Sequence, residues 1–173
     1  MKNIQSIFLE GTKTLEISKA EVFAALQNIK RLEELVPGCR YIERTEYNKS
    51  ISEVLVKLDD KECIFLNKHW STYIEPNSKI TVSITGNSGP AGRFTANLDM
   101  TIKPGGNNTD FFYSVDAKFY CKSIVFTKSD IEFTVAQIMM LFLNNLQQQY
   151  PRKTVKPFGL FLTVKTLINK FYN

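Results

Sequence analysis

Residues 129–149 read SDIEFTVAQIMMLFLNNLQQQ. Ile131, Val135, Ile138, Met139, Phe142 and Leu146 recur at helical spacing and make one broad apolar face. Thr127 or Ser129 can cap its start, and Asp130 and Glu132 put negative charge in the first turn, where the helix dipole favours it. Pro151 stops it. It is the one long and strongly periodic helix candidate, and almost everything before it reads as strand. A single long helix after a run of strands needs that sheet to bury its face.

Upstream, residues 3–17 look extended. Ser18 and Glu21 form a capping box for a short helix carrying Val22, Phe23, Ala25 and Leu26. Residues 30–36 continue as a second short helix, which Pro37-Gly38 ends. Strand signals then follow at 39–47, 50–58, 61–75, 78–85, 92–103 and 109–120, separated by turn residues. The stretch GNSGPAG, residues 86–92, reads as a loop. Residues 92–103 alternate cleanly, with Phe94, Ala96, Leu98, Met100 and Ile102 on one face. The expected fold is α+β over residues 1–150: a curved antiparallel sheet of about seven strands around a long C-terminal helix. The order is β-α-α-β-β-β-β-β-β-α. A sheet curled around a helix readily encloses an apolar pocket.

At 173 residues the chain has room for one substantial core. Thirteen Phe and seven Tyr suit strands and a large apolar interior. Cys39, Cys63 and Cys121 are scattered without a CxxC pair, as expected of reduced thiols in a cytoplasmic protein. The N-terminal sequence MKNIQSIFLEG has no signal-peptide core, and no run is long enough to span a bilayer.

The formal charge is +5, but it is unevenly placed. From Pro151 onward there are five cations and no acid, so the preceding 150 residues are neutral overall. That balance argues against nucleic acid as a partner of the body.

No constellation of residues announces catalysis. His69 is the only histidine, and it reads as lying on the polar side of a half-buried strand beside Trp70. The three cysteines fall on different elements, so no metal site is expected. Neither a nucleophile elbow nor a phosphate-binding loop occurs. Cys39 has no identifiable base, and Asp99, Asp116, Glu33 and Glu34 read as solvent-facing.

Three segments carry a resemblance. Leu35-Val36-Pro37-Gly38-Cys39 follows the second short helix. Gly86 to Gly92 precedes the sixth strand. Thr109 to Ala117 reads TDFFYSVDA. Together they resemble the START-like (helix-grip) superfamily and, within it, the CoxG family of carbon monoxide dehydrogenase subunits. These segments match its LIPGC-type, Gly/Ala-rich and T-x-L-x-Y-x-x-D-A patterns. Phe119, Tyr120 and Cys121 stand where that family usually has a Gly pair. The resemblance implies a protein without chemistry or cofactor of its own. It would bind a hydrophobic molecule, lipid or quinone-like, in an internal cavity. It would also serve or tether a molybdenum-type dehydrogenase at the inner face of the cell membrane.

The expected ligand-binding wall follows from the strand and helix faces: Pro37 near the mouth, Trp70, Phe94, Leu98, Met100, Tyr113 and Val115 from strands, and Met139, Phe142 and Leu146 from the helix. The same alternation would serve a filled core. An enzyme on the same fold, such as a cyclase or hydrolase, would need convergent polar groups, for which Tyr113, Asp116 and His69 are the candidates. A structural interaction module with a filled core is the third alternative.

Residues 151–173 differ in character. Leu160, Val164, Leu167, Ile168 and Phe171 share one helical face, with Phe158 and Phe161 adding bulk and Lys156, Lys165 and Lys170 supplying charge. A basic segment with an apolar face fits a membrane surface. At about 1.5 Å per residue it is too short to cross a bilayer. Packing on the body or on a second copy is the competing expectation.

Overall fold

The computed structural model describes residues 3–58, 60–122 and 126–150. Seven strands and three helices follow in the expected order. They are β1 (Asn3–Leu15), α1 (Lys19–Gln27), α2 (Ile29–Leu35), β2 (Cys39–Glu46), β3 (Lys49–Leu58), β4 (Lys61–Glu75), β5 (Lys79–Ser88), β6 (Gly92–Gly105), β7 (Asn108–Cys121) and α3 (Lys128–Gln149). Among the described residues no helix is long and apolar enough to cross a membrane.

Local chemistry explains the boundaries. Ser18 accepts the amide of Glu21, whose carboxylate accepts in return from the Ser18 amide, so the capping box at α1 is complete. At α3 the cap is Thr127, closed by Asp130 in the same reciprocal way. The turn after α2 needs Gly38. Its φ is +72°, and a β-carbon there would lie 2.1 Å from the Leu55 carbonyl oxygen. The close approach lets the Gly38 carbonyl accept from the Leu55 amide at 2.9 Å, tying the turn to β3.

All strand pairs are antiparallel, in the order β1-β7-β6-β5-β4-β3-β2. From β2 to β7 the chain is a meander, as the short turns imply. β1 instead crosses to the far edge and pairs with β7, Ile7 opposite Ala117. Two strands run further than expected: β6 continues through Pro104 to Gly105, and β5 continues through Gly86 and Asn87 to Ser88, leaving only residues 89–91 as the loop. The ladder continues because Gly86 pairs with Phe94, and a glycine backbone pairs as any other does.

The concave face of the sheet and α3 enclose two packed clusters. One gathers Leu15, Val22, Leu26, Leu35, Ile102, Phe111 and Leu146 beside α1 and α2. The other gathers Ile7, Leu58, Phe65, Ala117, Phe126 and Ile131. Leu98 and Tyr113 pack against both. On the other side of α3, Phe133, Met140 and Leu141 are exposed.

Candidate functional site: an apolar cavity with a polar row

Between the two clusters lies a cavity of about 300 Å³. The interior is therefore not a completely filled core. Inward residues of β3 to β7 line it, with Ile131, Val135, Ile138, Met139 and Phe142 of α3 opposite. Strand parity selects the lining, since alternate side chains share a face. Gln27, Leu32 and Pro37 border it from the α1–α2 side. There it adjoins a smaller polar recess of about 90 Å³ that includes Arg44, Tyr47 and Lys49. Arg44 donates to the Gln27 carbonyl at 3.1 Å, holding β2 against the end of α1.

Pro37, Phe94, Leu98, Met100, Val115, Met139 and Phe142 all border the cavity. Three other expected residues do not. Trp70 lies on the outer face of β4 and is 51 % exposed. The inward residues of that strand are Cys63, Phe65, Asn67 and His69, so Trp70 has the wrong parity. Tyr113 is directed at β1, where its ring fills the space a side chain on Gly11 would need. Leu146 is wholly buried in the α1–α2 cluster, about a turn beyond Phe142. The expected membrane-contact residues, Lys156, Phe158, Leu160, Phe161, Val164, Lys165, Leu167, Ile168, Lys170 and Phe171, lie outside the described residues.

The same parity corrects His69, which faces the cavity rather than the polar exterior. Ser52 of β3 is paired in register with Asn67 of β4, and Ser50 with His69. The Ser52 hydroxyl lies 2.8 Å from His69 Nε2, and Asn67 Nδ2 donates to it at 3.3 Å. Asn67 Nδ2 also reaches the Phe65 carbonyl at 3.4 Å. Ser52 is 2 % exposed and Asn67 7 %. Burial removes the water that would stabilise an imidazolium and pushes the pKa of His69 down to about 4. The ring is neutral at physiological pH. Sequence reasoning missed Ser52 and Asn67. The signal was present in the alternation Cys63, Phe65, Asn67, His69, which carries the polar pair onto an apolar face.

The three residues considered for cavity catalysis do not converge. Asp116 is exposed on the outer face of β7, Tyr113 covers Gly11, and only His69 borders the cavity. Cys39 donates its thiol proton to the Tyr41 carbonyl at 3.3 Å. Burial, then the Glu33 carboxylate, push its pKa up. Burial raises that of Cys63 as well, and a protonated thiol is a poor nucleophile. Among the described residues no three His, Cys, Asp or Glu side chains are grouped to hold a metal.

A curved seven-stranded antiparallel sheet closed over a long C-terminal helix, with a cavity between them, defines the START-like helix-grip class. Residues 11–150 match the CoxG family of carbon monoxide dehydrogenase subunits, and the chain belongs to that family. Solved structures agree on the fold. A conserved protein from Geobacillus kaustophilus superposes with a TM-score of 0.77 at 17 % identity, covering 83 % of this chain and 94 % of that one. The Zhui aromatase/cyclase from Streptomyces sp. R1128 gives 0.64 at 12 % identity, over 90 % and 100 %. Ara h 8.0201 gives 0.60 at 16 %, over 83 % and 97 %. At such identities the likeness is one of fold, which does not carry function with it. Comparison with curated proteins yields no match.

Proposed function

We propose that this protein binds one apolar molecule, a lipid or a quinone-like compound, in the cavity between the sheet and α3, and carries out no chemistry on it. The supporting observation is the cavity itself, about 300 Å³ and lined mainly by aliphatic, Met and Phe side chains. The separation of Asp116 from His69 favours this reading over a cavity cyclase or hydrolase. Family membership supports a role as accessory to a molybdenum-type carbon monoxide dehydrogenase. In that role the basic, apolar sequence 151–173 is the part directed at the inner face of the membrane.

Native mass spectrometry of the purified chain, before and after solvent extraction, tests the binding role. A one-to-one apolar adduct, or uptake of added decylubiquinone or oleic acid, is the expected result. An unliganded mass throughout, with no uptake of either, would sink the proposal. The membrane role is tested separately, by co-sedimentation with anionic liposomes of the full chain and of a chain ending at residue 156. Only the full chain should pellet.

A further inference from the structure

One buried acceptor at the cavity has no partner. Asn67 borders the cavity and is 7 % exposed, yet among the described residues nothing donates to its Oδ1. Which end of the amide is oxygen is decided by the neighbours. The atom near the Phe65 carbonyl must be the nitrogen, because that carbonyl can only accept. The Ser52 hydroxyl accepts from the same nitrogen and shares a hydrogen bond with His69 Nε2, whose direction follows the imidazole tautomer. Both Asn67 amide protons are thus spent on Ser52 and the Phe65 carbonyl, and Oδ1 is left over at the start of the row Asn67–Ser52–His69.

Oδ1 lies beside Gly86, the cross-strand partner of Asn67. A β-carbon on Gly86 would come 2.5 Å from Oδ1 and 2.1 Å from the Phe94 ring. The missing side chain leaves room that Oδ1 and Phe94 share. Phe94 borders the cavity, stacked on Phe119 at 5.2 Å and edge-on to Phe65 at 5.5 Å. For a ligand in the cavity to reach Oδ1, the Phe94 side chain has to move aside. A lone water is a poor occupant here. It needs two or more polar partners, and what shares this space with Oδ1 is the Phe94 ring. A hydroxyl on an apolar body needs only one.

We infer that Asn67 Oδ1 is the polar anchor of the cavity, and that the ligand is an apolar molecule carrying a hydroxyl group, alcoholic or phenolic. The inference rests on the binding role proposed above and narrows its chemistry. A ligand whose only oxygens are carbonyls would bring acceptor to acceptor. Of the two redox states of a quinone, only the quinol supplies the donor.

Titration calorimetry of the full chain with 2-naphthol and 2-methylnaphthalene tests this, because the pair differs in little but the donor. Apolar burial alone favours the methyl compound. The expected result is the reverse, with naphthol bound about tenfold more tightly, the effect of one satisfied buried acceptor. Asn67→Leu should erase that preference and keep binding of methylnaphthalene. The wild-type comparison decides the matter even if this variant misfolds. Equal affinities, tighter binding of the methyl compound, or a preference that survives Asn67→Leu each overturn the anchor and leave the binding role standing. Binding of neither compound overturns the anchor, while the binding role stands or falls with the mass spectrometry described above.

Discussion

Along β6, β7 and α3 the cavity is bordered by Phe94, Ala96, Leu98, Val115, Val135 and Met139. Along β3 and β4 the inward side chains include Ser50, Asn67, His69 and Ser71, with Ser52 tucked behind. The strands of both walls belong to one continuous sheet, and both walls face the same space. They differ in what burial demands of them. Apolar side chains need only contact, so the first wall tolerates any packing that fills space. Buried polar groups need partners with geometry, and adjacent strands in register supply them: Ser52 sits opposite Asn67, two pairs along from Ser50 and His69. The first wall sets capacity. The second keeps charge out, because the same burial that shapes it holds His69 neutral.

The contrast can be broken at several strengths. The largest effect is expected where the apolar side is packed without a gap. Leu146→Ala should cost about 2–5 kcal/mol in chemical denaturation. A loss under 1 kcal/mol would mean that the cluster anchoring the cavity is loosely packed.

On the polar side the probe is pH. The folded pKa of His69, about 4, lies below its ordinary 6.5. As pH falls below about 6.5 the unfolded chain takes up a proton that the folded chain refuses until about 4. The stability due to a neutral His69 is thus fully present above about 6.5 and is lost as pH falls towards 4. The loss amounts to no more than about 3 kcal/mol. His69→Gln should remove that slope. The chain has one histidine, so its ring protons in an NMR titration are unambiguous. A midpoint near 6.5 would place His69 in water and collapse the distinction between the walls.

Ser52→Ala deletes the link between Asn67 and His69, leaving two buried groups short of a partner, at a cost of about 1–3 kcal/mol. The smallest effect belongs to the outside of the same strand. Trp70→Thr should change stability by under about 0.5 kcal/mol. Trp70 is the only tryptophan, and its emission should be that of an exposed indole, indifferent to a ligand in the cavity. Quenching by such a ligand would contradict its placement.

Trp70 also shows where the sequence is readable and where it is not. The long period of α3, the capping boxes and the turn residues act locally, so the elements and their order were legible. On β6 the outward positions Arg93, Thr95, Asn97, Asp99 and Thr101 are all polar, so the inner face declared itself. On β4 both faces carry apolar residues. Ile64, Leu66 and Trp70 are exposed while Cys63 and Phe65 are buried. The alternation then has no sign, and the largest aromatic is a misleading guide to which face is inside. The bond from Asn67 to Ser52 joins residues 15 apart in sequence, and depends on register that hydrophobic pattern alone does not fix. Cavity volume was illegible for a different reason, since a packed and a hollow interior require the same alternation.

The return of β1 to the edge of β7 has a consequence for how the molecule comes into being. Its pairing joins residues such as Ile7 and Ala117, over a hundred positions apart. Contacts of that span are slow to form, because the loop must close before they reward it. During synthesis the first strand waits, without its partner, for almost the whole domain to emerge. The β2–β7 meander can assemble as it appears, but the sheet gains its last strand, and α3 its place against β1, only at the end. The chamber is complete only once α3 has been made, so a nascent chain interrupted before residue 121 has neither its first strand paired along its whole length nor a place to hold a ligand.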